Sequence, residues 1–426
     1  MSYNPESKKK GFSKRLFISY AFDWIVLIAF AGIGAYLSQV APNKRPFSLV
    51  DPNISFPVTE NETVPNWLLV VLCTGIPVVI IFIVSIIFVP GATVPKGTPK
   101  ALIWRRKLWE LHIGWLGLLM SVGAGYFFIS GIKNMCGKPR PDMLARCLPD
   151  IKNAAKYAIG GYQGEAAFGN DIGQLYSAAI CQQTDKARLN DGFRSYPSGH
   201  AASSAGGLIY LSLFLASKFA VTFPFVAPDA VSSDHSVHAA FPTRRPVPAL
   251  DPYEREATSA LTGSKISSGN ARHNSNILSL RRQAAAPPVY LLVATIAPFC
   301  LAIFISASRW FDFRHHGFDI LFGFLIGLTT AIFSFRYYHL PITMGAGWAW
   351  APRSEDRAFW AGVGRLGYVS GRDACDDSGD ADSQNARLTT FLAAGAGAGS
   401  GGLTQRLGSQ EDVELRDLES QRNSGL

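Results

Sequence analysis

Three short clusters in this sequence gather residues able to act on an anion. Lys133 to Pro141 reads "KNMCGKPRP", Tyr196 to His200 reads "YPSGH", and Ser308 to Asp319 reads "SRWFDFRHHGFD". Lys133, Arg140 and Arg309 supply the cations. Arg offers a planar fork that matches phosphate oxygens in pairs, and Lys offers a point charge. In the second cluster Ser198 can cap a helix, and Gly199 lets the backbone come close to a ligand. The free N–H groups of the following turn attract negative charge. His200 then stands in that turn, where an acid can protonate a leaving oxygen.

The third cluster holds the nucleophile. His315 and Asp319 are four residues apart, so a helix would set them on one face. A carboxylate on one ring nitrogen fixes the tautomer and prepares the other nitrogen to attack phosphorus, giving a phosphohistidine that water then hydrolyses. His316 is turned about 100° away on the same helix and has no carboxylate at the matching downstream offset. Asp312, four residues before His316, leaves a second pairing open.

The elements that must position these clusters are long and apolar. Of 426 residues, 48% are hydrophobic and only 17% charged, against about 25% charged in a soluble domain; mean hydropathy is positive. Six apolar blocks stand out, at about 16–40, 66–90, 109–132, 200–226, 288–307 and 318–336. Each is near or above the roughly 20 residues that cross about 30 Å of hydrocarbon as helix. The predicted fold is therefore an all-α polytopic membrane protein, a six-helix bundle. Lys218 interrupts the fourth block and can snorkel to an interface. Asp23, within the first, is read as a structural hydrogen bond or helix-pairing group. The first block is too long for a cleavable signal peptide and lacks the small-residue cleavage pattern. With six spans, the ends of the third and fifth and the starts of the fourth and sixth share one face, so the three clusters meet at one mouth. A cation in the hydrocarbon would cost about 2.5–3.5 kcal/mol, which directs Lys133, Arg140 and Arg309 towards a polar cavity there.

Charge assigns the faces. The net charge of +9 does not read as a nucleic-acid surface, because the basic residues collect beside the spans: Lys8 to Arg15, Lys96 to Lys107, and Arg244 to Arg282. These three segments fall on one side, which the positive-inside rule makes cytosolic, together with both termini. The opposite loops carry two glycosylation sequons, at Asn53 and Asn61, so the mouth is predicted to be lumenal or extracellular. Lumenal sequons imply the secretory and endomembrane system: vacuole, Golgi, ER or plasma membrane. Residues 133–199 hold nine Lys or Arg against six Asp or Glu. That excess opposes the charge rule, and an anionic ligand would account for it. Cys136, Cys147 and Cys181 share this loop, where one pair can form a disulfide. No Cys/His pattern suggests zinc.

Residues 1–15 read as a basic cytosolic terminus and 16–338 as the bundle, with 227–287 as a disordered cytosolic insertion and 339–426 as a disordered tail. No internal repeat supports a transporter.

Lys-x6-Arg-Pro, Pro-Ser-Gly-His and Ser-Arg-x5-His-x3-Asp, at Lys133 to Pro141, Pro197 to His200 and Ser308 to Asp319, together resemble the type 2 phosphatidate phosphatase, or lipid phosphate phosphatase, family. The resemblance covers roughly residues 16–338 and is nearest the branch acting on phosphatidate and diacylglycerol pyrophosphate. It implies metal-independent hydrolysis of membrane lipid phosphates (phosphatidate, diacylglycerol pyrophosphate, lysophosphatidate) with no cofactor. His315 would be the nucleophile, Asp319 its orienting partner and His200 the general acid. Lys133, Arg140, Ser198, Gly199 and Arg309 would bind phosphate. A headgroup transferase using the same chemistry, or a non-catalytic transporter or scaffold, are the competing readings.

Overall fold

The computed structural model describes residues 13–91, 94, 97–161, 173–221, 286–342, 347–363 and 368. Six helices are long and apolar enough to cross a membrane: α1 (Lys14–Gln39), α2 (Asn66–Ile87), α3 (Lys100–Cys136), α6 (Gly199–Lys218), α7 (Val289–Phe311) and α8 (Gly317–Tyr338). Two short helices, α4 (Met143–Cys147) and α5 (Lys186–Gly192), lie between α3 and α6. The only sheet among the described residues is an antiparallel pair, β1 (Ala158–Gly161) and β2 (Gln174–Tyr176). The all-α polytopic reading holds.

Two span boundaries differ from expectation. α3 has 37 residues, about 55 Å of helix, because its first turns carry Lys100, Arg105, Arg106 and Lys107, which hydropathy leaves out. α6 ends at Lys218 rather than near 226.

The chain divides into two compact units, Met1–Ala21 with Ala351–Leu426, and Phe22–Trp350. In the first, Arg353 donates to Ser19 Oγ at 2.8 Å and lies over the rings of Tyr20 and Tyr368. The second holds the bundle. Its core joins α2, α3, α6 and α8 through Ile81, Val84, Leu118, Tyr210, Phe214 and Phe335. The large exposed apolar side chains, such as Ile25, Val79, Phe304 and Phe333, face what would be lipid. Small residues set the closest approaches, as packing in hydrocarbon requires. A Cβ on Gly323 of α8 would overlap the Ser198 carbonyl at the start of α6, so this glycine sets how near α8 comes to the second motif. Trp24, beside Asp23, donates to His112 Nε2 at 3.1 Å and pairs α1 with α3.

At the bundle end away from the motifs, Lys218 does not snorkel. It is 2% exposed and pairs at 2.6 Å with Glu110, which is fully buried. The Ala349 N–H donates to Glu110 at 3.1 Å, and Lys218 donates to the Gly347 carbonyl at 3.2 Å. The Leu340 N–H donates to the Trp348 carbonyl, and the Trp350 N–H to the Tyr338 carbonyl. Residues 339–342 and 347–350 are thus a strap closing the bundle, which corrects the expected disordered tail from 339. Residues 227–285 of the predicted insertion, residues 1–12 and the tail beyond 368 lie outside the described residues.

The motif end carries a cap built on Phe47, Ile54, Met143, Tyr176, Ile180, Leu189 and Phe193. The Cys147–Cys181 disulfide ties α4 into it, and Cys136 is the thiol left over.

Candidate active site

His315 lies in the short connection between α7 and α8, 3% exposed. Its Nδ1 is 2.6 Å from the Ser195 carbonyl oxygen. A carbonyl only accepts, so Nδ1 carries the proton and Nε2 presents its lone pair. Burial, and then the nearby charges of Arg140 and Lys133 and the His200 ring, hold this imidazole well below its ordinary pKa. His315 is therefore a neutral imidazole in a cationic setting, with a lone pair on Nε2. The same interactions bring Lys133, Arg140, His200 and His315 to one place, although they come from α3, the turn after it, α6 and the α7–α8 connection.

Ser198 caps α6 as expected, accepting from Ala201 N at 3.4 Å. Lys133 comes from the last turn of α3, and a Cβ on Gly199 would stand 3.5 Å from its ammonium. Gly199 thus lies in contact range of this cation at the helix N-terminus. The Lys133 ammonium makes no hydrogen bond or ion pair among the described residues. His200 Nε2 is 3.0 Å from the Val64 carbonyl, so by the same argument Nε2–H donates to it. That bond leaves Nδ1 as the ring atom from which a proton could pass to a leaving oxygen.

The arginines are arranged less simply. Arg309 is 1% exposed and held by Glu62 at 2.8 Å and Asp312 at 2.7 Å. Arg140 pairs with Asp191 at 2.7 Å. Arg314 bridges Glu62 at 3.1 Å and Asp191 at 3.0 Å, and Arg146 pairs with Asp142 at 2.8 Å and Asp191 at 3.2 Å. Burial alone would raise the Asp191 carboxyl, but Arg140, Arg314, Arg146 and Lys133 outweigh it and hold the group below the carboxylate range. Such a network keeps buried guanidinium groups in fixed positions, since each loses water only by gaining a carboxylate. Arg140 and Arg309 thus sit at the mouth, but with their forks already engaged.

One expectation fails. Asp319 makes no contact with His315: its carboxylate accepts from Ser195 Oγ at 2.5 Å, Lys138 Nζ at 2.8 Å and the His316 backbone N–H at 3.1 Å, and lies 3.1 Å from His316 Nδ1. The i,i+4 argument assumed His315 to be helical, but α8 begins at Gly317 with His316 as its N-cap. Asp312 does not reach His316 either; besides Arg309 it accepts from Thr63 N at 3.0 Å and Thr63 Oγ1 at 2.7 Å.

Sequence reasoning missed Ser195, Lys138, Glu62, Asp142, Asp191, Arg146 and Arg314. The signal within reach was the charge excess of the 133–199 loop. The α1–α2 loop with both sequons also belongs to the site. Asn53 and Asn61 are exposed, while the Asn53 carbonyl lies 3.2 Å from His316 Nε2.

A buried, neutral histidine among cations, at one end of six apolar helices, is the setting expected of an integral-membrane phosphatase. The chain belongs to the PAP2 superfamily, whose profile matches residues 114–342. It is 26% identical over 330 residues to the probable diacylglycerol pyrophosphate phosphatase 1 of Schizosaccharomyces pombe, covering 77% of this chain and 84% of that one. It is 24% identical over 319 residues to diacylglycerol pyrophosphate phosphatase 1 of Saccharomyces cerevisiae (75% and 78%). Similarity to lipid phosphate phosphatase 2 of Arabidopsis thaliana is 24% over 328 residues (76% and 79%). No solved structure matches.

Proposed function

We propose that this chain hydrolyses phosphatidate, diacylglycerol pyrophosphate and lysophosphatidate through a phosphohistidine at His315, without a metal ion. The observation that carries this reading is the free Nε2 of a buried, neutral His315 beside Lys133, Arg140 and His200. Nε2 attacks the phosphorus while His200 gives a proton to the departing oxygen of the lipid. Water then attacks phosphorus and gives a proton back to His200 as the P–N bond breaks, so that both histidines are restored. Lys133, the N-terminal amides of α6 and the Arg140 and Arg309 guanidinium groups balance the charge on the phosphoryl oxygens. That cation set supplies what a metal ion supplies in other phosphatases. The acyl chains stay in the bilayer and only the headgroup enters the mouth.

The Cys147–Cys181 disulfide and both sequons lie on the motif side, and the basic first turns of α3, with Lys100, Arg105, Arg106 and Lys107, lie at the other end of that helix. This supports a lumenal or extracellular active site and cytosolic termini in the endomembrane system. Glycosylation at Asn53 or Asn61 should appear as a mobility shift on deglycosylation, lost in the Asn→Gln variants.

The test is phosphate release by the purified protein in detergent from each of the three lipids, with chelator present. Activity should persist in chelator and vanish in His315→Ala. Activity that requires added Mg²⁺ would overturn the metal-free reading, and full activity in His315→Ala would overturn the mechanism.

A further inference from the structure

The carboxylate expected to orient the nucleophile does not touch it, yet it is among the most heavily bonded groups in the molecule. Asp319 is fully buried and receives hydrogen bonds from Ser195 Oγ, Lys138 Nζ and His316 N. Ser195 is also fully buried and bonds in two directions. Its hydroxyl donates to Asp319 at 2.5 Å, and its carbonyl accepts from His315 Nδ1 at 2.6 Å. Its own N–H donates to the Lys138 carbonyl at 3.1 Å. Three residues on, the Ser198 N–H donates at 2.8 Å to the Asp319 carbonyl. Asp319 therefore grips the 195–198 segment twice, once by its side chain and once by its backbone.

We propose that Ser195 is a positioning residue for the reaction, and that Asp319 acts on His315 through it. Asp319, anchored by Lys138 and His316, fixes the Ser195 hydroxyl. The hydroxyl fixes the peptide whose carbonyl selects the His315 tautomer and aims Nε2. The twin histidines divide the labour: His315 attacks, and His316 helps hold the carboxylate that sets the aim. The second grip, at Ser198, keeps the start of α6 in register with the same residue, so nucleophile and phosphate-binding turn are located from one anchor. A bare carbonyl could orient His315 unaided, but its peptide would then be free to tilt. Misplacement of a nucleophile by about 1 Å costs on the order of a hundredfold in rate.

The inference rests on His315 as nucleophile, and one set of variants separates the two ideas. Ser195→Ala keeps the carbonyl and removes only the hydroxyl link. It should lower kcat and the single-turnover rate of phosphoenzyme formation about tenfold or more, with KM and thermal midpoint nearly unchanged, because the cations are untouched. Ser195→Thr, which restores a hydroxyl, should recover most of the rate. Combined with Asp319→Asn, the Ser195→Ala loss should be largely absorbed, since both break one chain. Wild-type kcat in Ser195→Ala, or full additivity with Asp319→Asn, would overturn the relay while His315→Ala remains inactive. Activity in His315→Ala would instead overturn the nucleophile. If Ser195→Ala fails to fold, the relay stands or falls on Ser195→Thr: it is upheld by near-wild-type kcat and overturned by a tenfold loss at unchanged thermal midpoint.

Discussion

The two ends of the bundle each hold a lysine, and they treat it in opposite ways. At one end Lys218 is closed off: Glu110 meets it at 2.6 Å, the Gly347 carbonyl takes a second bond, and Trp348 lies 5.1 Å from the ammonium. At the other end Lys133 points past Gly199 at the first turn of α6 and has no carboxylate partner among the described residues. Nearby guanidinium groups are shared among Glu62, Asp142, Asp191 and Asp312. A buried cation with its own carboxylate serves the fold. One held among other cations, with the acids spent on its neighbours, is placed to meet an anion.

The sharpest way to break this contrast is to remove each lysine. Lys133→Ala should lower kcat/KM by about a hundredfold or more, as losing one preorganised cation or donor does, and leave the thermal midpoint nearly unchanged. Lys218→Met should do the reverse. It leaves Glu110 buried with the Ala349 N–H and, as its remaining ionic partner, Arg106 at 3.4 Å, which costs about 3–5 kcal/mol of stability, while kcat of the folded fraction stays the same. Equal effects on activity would erase the distinction.

A weaker test touches the cap. Replacing both Cys147 and Cys181 by Ser should cost about 2–4 kcal/mol. It should also raise KM more than it lowers kcat, because the cap holds Asp191 and through it Arg140. Glu62→Gln is expected to act more gently, tightening inhibition by inorganic phosphate a few-fold as one carboxylate competitor is removed from Arg309 and Arg314; roughly 1 kcal/mol is the scale for a partly exposed pair. Looser phosphate binding would instead make Glu62 a required brace.

The smallest effect is a pH slope in stability. The folded pKa of His315 is depressed, so below about 6.5, the ordinary histidine value, the unfolded chain takes up a proton that the folded chain does not. Stability should therefore be fully present above that pH and decline as pH falls. Thermal midpoints of the wild type should drop more steeply between pH 6.5 and 5 (a window set about that value) than those of His315→Gln.

The bundle was legible because hydrocarbon imposes a length and composition on each span, and parity alone places Lys133, His200, Arg309 and His315 at one mouth. The local chemistry at the helix starts was less so. Ser198 as a cap could be read from its place before Gly199 and His200. The Asp319–His315 pair could not, because i,i+4 spacing has meaning only inside a helix and α8 starts two residues after His315. The partners of the arginines were hidden for a different reason. Glu62, Asp191 and Asp312 come from three separate connections, and loop residues carry no periodicity that would bring them together. The positive excess of residues 133–199 pointed only to the charges of that loop, whereas Glu62 and Asp312 pair with Arg309 and Arg314 outside it. The strap at 347–350 escaped because Gly, Ala and Trp after an apolar span look like the start of any tail. Its docking on the buried Glu110 and Lys218 depends on partners distant in sequence.

The central claim is that His315, and not its neighbour, carries the phosphoryl group. Rapid quenching of the enzyme with ³²P-labelled phosphatidate should trap label on the protein in a form stable to base and lost in acid, as a P–N bond requires. The label should be absent in His315→Ala and present in His316→Ala. Label that survives in His315→Ala, or that disappears only in His316→Ala, would contradict the account.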